Sequence, residues 1–287
     1  AVEKDGPIRR FTLDGEPLET VAPGPGGVMT ITQVPGRKDQ FLATRKFFSP
    51  NFGGDDAAIA SYTKQADGSW SEQILCDLPY VHRFGILKAA DGQLWIIACS
   101  IKGGAETGVK DDWRTPGAVW AAPLSDNLEQ YTADNQLKLT CIANYQVQNH
   151  GFWTAPDKSY VLISTAAGVF RYVPPTTPQG AWDVTCLLVQ PTSDIVATDF
   201  DGDGKLEILT FSKFHGDTLA IWHEGQTRDR FEQVWCDPQK RSFLHALWAA
   251  DLNGEKCAVI GNRKDGRDLL LVRYVDGEYT VDVIDHD

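Results

Sequence analysis

The sequence predicts an all-β chain, a β-propeller of five four-stranded blades with six as the alternative, and three observations predict it. Runs of about four to eight β-branched and aromatic residues, separated by Gly, Asp, Asn and Pro, fill the chain. No window sustains helical periodicity over about three turns. The runs also recur in groups of four, with starts near residues 28, 82, 150, 194 and 245, a mean spacing of about 54 residues. A four-stranded antiparallel unit repeated at that length is the signature of a propeller, and residues 1–287 are read as one such domain.

The units follow in order, with strands a to d in each. The N-terminal segment IRRFTLDGEPLETVA reads as a strand pair around a DGEP turn; residues 1–27 either close the ring on the last blade or belong to a sixth. The first unit is GVMTITQV, QFLATRK, AAIASYT and WSEQILC, and the second is VHRFGILKA, LWIIACS, GAVWAAPL and QLKLTCIA. HGFWTA, YVLIST, GVFRYV and WDVTCLLV make the third. DIVAT, LEILTFS, TLAIWHE and FEQVWC make the fourth, and LHALWAA, CAVIGN, DLLLVRY and YTVDVI the fifth. The a–b turns are as regular: VPGRKDQ, AADGQ, APDKS, DFDGDGKLE and DLNGEK. Trp70, Trp182, Phe231 and Tyr279 open strand d and read as packing residues.

Composition narrows the partners. A net charge of −12 argues against a nucleic-acid backbone or an anionic membrane. No stretch approaches the roughly 18 apolar residues of a membrane span. The start AVEKDGPIRR shows no apolar signal-peptide core, although a leader removed ahead of Ala1 is compatible with it. Six Cys without a CxxC pair read as reduced thiols packed as small apolar residues, which points to a cytoplasmic setting. Motifs of the GxSxG, HExxH, Walker and GxGxxG types are absent, and GPGG at 24–27 lacks the flanks of a phosphate loop.

Alternating strand direction sends d–a and b–c connections to one end of each blade and a–b and c–d turns to the other. Three histidines stand at d–a junctions: His82, His150 and His245. They suit proton transfer, or a three-imidazole site for Zn²⁺ or Mn²⁺. Tyr80 and Tyr145 in the same connections are the nearest phenols that can act as an acid. The b–c connections repeat a basic residue: Arg45, Lys102, Lys213 (with His215 close by) and Arg263. The 100–117 loop adds Trp113 and Arg114, suited to cover a sugar, and the aromatic 47–52 loop lies at the same end. Cations gathered on an acidic body focus the field on an anionic ligand such as a carboxylate or uronate. A glycosidase needs two facing carboxylates, for which only Asp194 and the Asp55–Asp56 pair stand in suitable loops.

At the opposite end, Asp199, Asp201 and Asp203 alternate along a Gly-containing loop with Glu207 beyond. With a backbone carbonyl near Lys205, these oxygens suit a structural Ca²⁺. The run from Asp199 to Glu207 resembles the calcium loops of FG-GAP and VCBS repeats, which occur in β-propellers. AADLNGEKCAVIGNR resembles the same repeat in degraded form, and the likeness is clearest over residues 190–275. More distantly, a His-bearing propeller of this kind resembles the propeller domains of aldos-2-ulose dehydratase and of propeller polysaccharide lyases. That resemblance implies β-elimination on an anionic or oxidised sugar, small or oligomeric. His82 or His150 would then be the base, His245 would assist or hold a metal, and Arg45, Lys213 and Arg263 would hold negative charge. The alternative is a non-catalytic module that binds carbohydrate or a protein through the same face.

Overall fold

The computed structural model describes residues 5–48, 53–104 and 112–286. The sequence-predicted loops at 47–52 and 100–117 therefore fall partly outside the described residues. The chain divides into two compact units, residues 1–149 with 174–181 and residues 150–173 with 182–287. Each is built only of antiparallel sheets, with a single 3-10 turn at Leu128–Gln130 among the described residues.

In the first unit, β1 (Ile8–Phe11) and β2 (Pro17–Ala22) pair as a two-stranded sheet of their own. One four-stranded sheet follows from β3 (Ile31–Gln33), β4 (Gln40–Arg45), β5 (Ala58–Lys64) and β6 (Trp70–Asp77). A second is made by β7 (Val81–Lys88), β8 (Leu94–Lys102), β9 (Pro116–Pro123) and β10 (Thr140–Gln146). Ile8, Val21 and Ala22 of the hairpin pack with Ala43, Ala60 and Tyr62, so the N-terminal pair covers the first sheet.

The second unit holds three sheets. These are β11 (Gly151–Thr154), β12 (Val161–Thr165), β13 (Gly168–Val173) and β14 (Asp183–Leu188); β15 (Asp194–Thr198), β16 (Glu207–Ser212), β17 (Thr218–Glu224) and β18 (Phe231–Cys236); and β19 (Leu244–Leu252), β20 (Glu255–Asn262), β21 (Leu269–Val275) and β22 (Glu278–Asp285). Leu162, Leu187 and Leu188 pack against Ile195 and Ile208 between the first two of these sheets. Leu209, Phe211 and Ile221 pack against Leu244, Ile260 and Leu270 between the last two. Truncating one such Leu or Ile to Ala costs roughly 2–5 kcal/mol.

Every four-stranded sheet runs a-b-c-d in chain order, the up-and-down blade that the repeats predict. The observed starts, Ile31, Val81, Gly151, Asp194 and Leu244, fall within three residues of the expected ones. Strand b is largely buried because both of its faces are covered; VLIST of β12 is wholly buried. Strand d is the edge of each sheet and is mostly exposed or half-buried, and each c–d pairing carries a register shift that increases the local twist. That edge corrects one expectation. Cys76, Cys99 and Cys257 are buried, but Cys141, Cys186 and Cys236 are exposed on d strands, where one face meets solvent. All six thiols are free.

Candidate functional site

The second unit gathers three imidazoles from its three sheets. His150 precedes β11, His215 lies in the b–c loop between β16 and β17, and His245 is the second residue of β19. Ring centroids are 5.1 Å apart for His150 and His215, 5.6 Å for His150 and His245, and 5.0 Å for His215 and His245. One nitrogen from each lies within 4.8 Å of the other two.

Ser193 organises two of the three. His150 is 1% exposed, and its Nδ1 lies 3.1 Å from the Ser193 carbonyl oxygen. A carbonyl only accepts, so Nδ1 carries the proton and Nε2 is the basic nitrogen. The His215 backbone N–H donates to Ser193 Oγ at 3.1 Å. A β-carbon at Gly151 would stand on Ser164 Oγ and 2.9 Å from the same Ser193 carbonyl oxygen, so only glycine lets β11 approach this closely.

His215 adopts φ 46°, and its ring stacks on Phe214 at 4.0 Å and Phe243 at 4.6 Å. Its Nε2 is buried without a hydrogen-bond partner among the described residues. Burial, helped by the Arg263 charge, pushes its pKa down to about 4, so the ring is neutral at pH 7. The Arg263 guanidinium and the Lys264 ammonium lie 5.4 and 5.3 Å from the Phe243 ring centre, and both residues are exposed, as is Lys213. Two d–a histidines, a b–c histidine and b–c cations thus meet at one end of these sheets, as strand direction requires.

The first unit treats the equivalent positions differently. His82, 3% exposed, sits edge-on to Phe47 at 5.3 Å. Tyr80 is buried, and its hydroxyl donates to Oδ1 of the exposed Asp55 at 3.0 Å, whereas Tyr145 is 79% exposed. Lys102 is fully buried, donating to the Asp112 carbonyl at 2.9 Å and lying near the rings of Tyr80 and Trp113. Arg114 pairs with the Asp112 carboxylate through two nitrogens, which holds that carboxyl well below the usual range. Arg45 lies 3.1 Å from Glu72. The expected ligand-facing cations of this unit are therefore engaged inside it.

A second cluster occupies the other end of the second unit. The Asp199 carboxylate accepts from the Gly202 and Gly204 N–H groups and so locks the turn. Asp201, Asp203, Glu207 and His223 each place one ligand atom within 4.8 Å of the others. His223 Nε2 is 3.1 Å from Asp203, 3.4 Å from Glu207 and 3.9 Å from Asp201. Glu207 is buried, and burial pushes its pKa up to about 7, with the charges of Asp201 and Asp199 adding to the rise. The Lys205 ammonium approaches the Glu224 and Gly225 carbonyls. Of the expected calcium shell, Asp201, Asp203 and Glu207 converge, while Asp199 lies outside the cluster. His223 had no role in the sequence reading. Its signal is register, because Glu207 and His223 are direct partners across β16 and β17.

Beside this cluster lies a cleft of about 430 Å³ lined by Asp201 and His223 together with Trp235, Tyr274 and Tyr279. Tyr279, expected as packing, therefore also faces a cleft.

No family model matches the chain, and no curated protein does, so the resemblance to FG-GAP and VCBS repeats finds no support beyond the loop itself. Solved structures do match. The periplasmic gluconolactonase PpgL of Pseudomonas aeruginosa is similar with a TM-score of 0.62 at 14% identity, over 99% of this chain and 79% of that one. A Bacteroides fragilis protein assigned as a 6-phosphogluconolactonase gives 0.60 at 12% identity, over 97% and 76%. A Bacteroides uniformis protein with the same assignment gives 0.56 at 16%, over 97% and 77%. At such identities the likeness is one of fold, and with the five up-and-down sheets it makes this chain an all-β propeller.

Proposed function

We propose that His150, His215 and His245 form the centre of a hydrolase acting on a small anionic sugar derivative, of which a phosphorylated aldonic-acid lactone fits best. The observation that carries this reading is the convergence of three imidazole nitrogens within 4.8 Å beside exposed cations. The donor set fits a borderline divalent cation such as Zn²⁺ or Mn²⁺: His150 is oriented through its Nδ1–H, and His215 keeps a buried, neutral ring. Such an ion supplies Lewis-acid polarisation of an ester carbonyl.

The chain's own residues do the rest. Ser193 fixes the His150 ring and the His215 backbone, Phe214 and Phe243 keep water from the His215 ring, and Arg263 with Lys264 attracts the substrate's carboxylate or phosphate. Hydrolysis adds water across the lactone ester, breaks its acyl C–O bond and releases a proton from the acid formed. The names of the similar structures, gluconolactonase and 6-phosphogluconolactonase, support a lactone over the eliminating reaction that the sequence resemblance implies.

A second reading keeps β-elimination, because a neutral imidazole beside a guanidinium also suits proton abstraction next to a carboxylate. One panel separates the readings. Proton release is followed with glucono-1,5-lactone and its 6-phosphate, and ultraviolet absorbance with uronate oligosaccharides, each with added Zn²⁺ or Mn²⁺ and after chelation. Proton release that falls by about 100-fold or more in His150→Ala, with the fold intact by circular dichroism, is the expected result. New absorbance with uronates replaces hydrolysis by elimination. A flat response across the panel from folded protein overturns both and leaves a binding module.

A further inference from the structure

We propose that Asp201, Asp203, Glu207 and His223 form a second metal site, selective for a borderline divalent cation such as Zn²⁺ or Mn²⁺ rather than for calcium, and open to the cleft beside Trp235, Tyr274 and Tyr279. It is independent of the imidazole cluster and of the activity proposed there.

Donor geometry is the first argument. Four atoms from four side chains lie within 4.8 Å of one another, and they come from an a–b turn, the first residue of β16 and the sixth of β17. Antiparallel pairing places Glu207 opposite His223, so half of the set is fixed by the sheet ladder rather than by a loop.

Unmet bonding capacity is the second. Glu207 is 0% exposed; its Oε2 accepts the Phe200 N–H, while its Oε1 is buried with no hydrogen-bond partner among the described residues and lies 3.4 Å from His223 Nε2. That one imidazole nitrogen faces three carboxylates, and a single N–H cannot satisfy three acceptors. A buried carboxylate oxygen left without a partner is costly, and a cation at the meeting point satisfies all four groups.

The donor set also selects the cation. Calcium takes six to eight oxygen ligands. Here Asp199 is turned away to lock the loop, and a nitrogen donor stands in the set instead. Imidazole with carboxylates suits zinc and manganese. Asp201 and His223 also line the cleft, which gives an ion a way in and leaves one side of the site facing a ligand space walled by aromatic rings.

The two clusters compete for the same metals, so the test removes one. In the full chain carrying His215→Ala, stripped of metal, Zn²⁺, Mn²⁺ and Ca²⁺ are titrated by calorimetry, and Co²⁺ is added as a visible-absorption probe. One equivalent of Zn²⁺ is expected to bind, more tightly than Ca²⁺, with a Co²⁺ spectrum of mixed oxygen and nitrogen ligation. Adding His223→Ala or Glu207→Gln is expected to weaken zinc by about 100-fold or more. Asp203→Asn, at a partly exposed position, is the milder variant and is expected to weaken it in the same direction if the buried substitutions disturb folding. Binding of Ca²⁺ in preference to Zn²⁺, or zinc binding unchanged by all three substitutions, overturns the proposal. Neither readout involves turnover, so a failed lactonase reading leaves this test intact.

Discussion

Strand β16 has a different chemistry at each end. Glu207 opens it inside a cluster of three carboxylates and one imidazole, while His215, just beyond its close, belongs to a cluster of three imidazoles with a neutral member and exposed cations nearby. One end carries excess negative charge and calls for a cation. The other offers three imidazoles, the His215 ring neutral, and a positive surround, which favours an anionic ligand over any metal it holds. The difference follows from connectivity. The a–b turns are short and Gly- and Asp-rich, so they lock themselves with Asx-type bonds and present carboxylates. The d–a and b–c segments bring side chains from neighbouring sheets together, so they can build a site from separate repeats.

The largest effect is expected where the imidazoles converge. His245→Ala, at a half-buried position, should lower lactone turnover by about 100-fold or more while thermal unfolding moves by a few degrees at most, as read by steady-state kinetics and a melting curve. Equal loss of stability and turnover would show that the ring serves packing alone. Arg263→Ala should act next and differently. It removes an exposed cation, so KM for an anionic lactone should rise by about tenfold with kcat nearly unchanged, and a neutral lactone should show no change. A fall in kcat for both substrates would instead assign the guanidinium to the chemical step.

The smallest effect sharpens the contrast at the carboxylate end. The next a–b turn repeats the lock, with Asp251 accepting the Gly254 N–H at 2.8 Å just as Asp199 accepts that of Gly202. There Lys256 lies 2.6 Å from Asp251, the pair is exposed, and no metal cluster forms among the described residues. Lys256→Ala should therefore shift the melting temperature by no more than about 1 °C and create no new metal binding.

The fold was largely legible because strand periodicity and turn chemistry are local. The five blade starts, and the choice of end for His150, His245 and the b–c residues, need only alternation of direction along the chain. What escaped depends on partners distant in sequence. Nothing local tells that Arg45 meets Glu72, or that Lys102 is buried over the rings of Tyr80 and Trp113. The exposure of Cys141, Cys186 and Cys236 depends on which face of an edge strand is covered. His215 was legible as a neighbour of the site but not as a third member of the imidazole cluster, since that requires the close approach at Gly151 and the anchoring by Ser193. His223 was readable in principle, by laying LEILTFS against TLAIWHE in hairpin register.

The central claim is that the imidazole cluster is the working centre. Its most direct test is reconstitution of activity in the full chain carrying His223→Ala, so that the carboxylate cluster is disabled. Metal-free protein is titrated with Zn²⁺ while lactone hydrolysis is followed by proton release. Turnover that rises with the first equivalent and saturates there is the predicted result. Turnover indifferent to both chelation and added zinc would contradict the account.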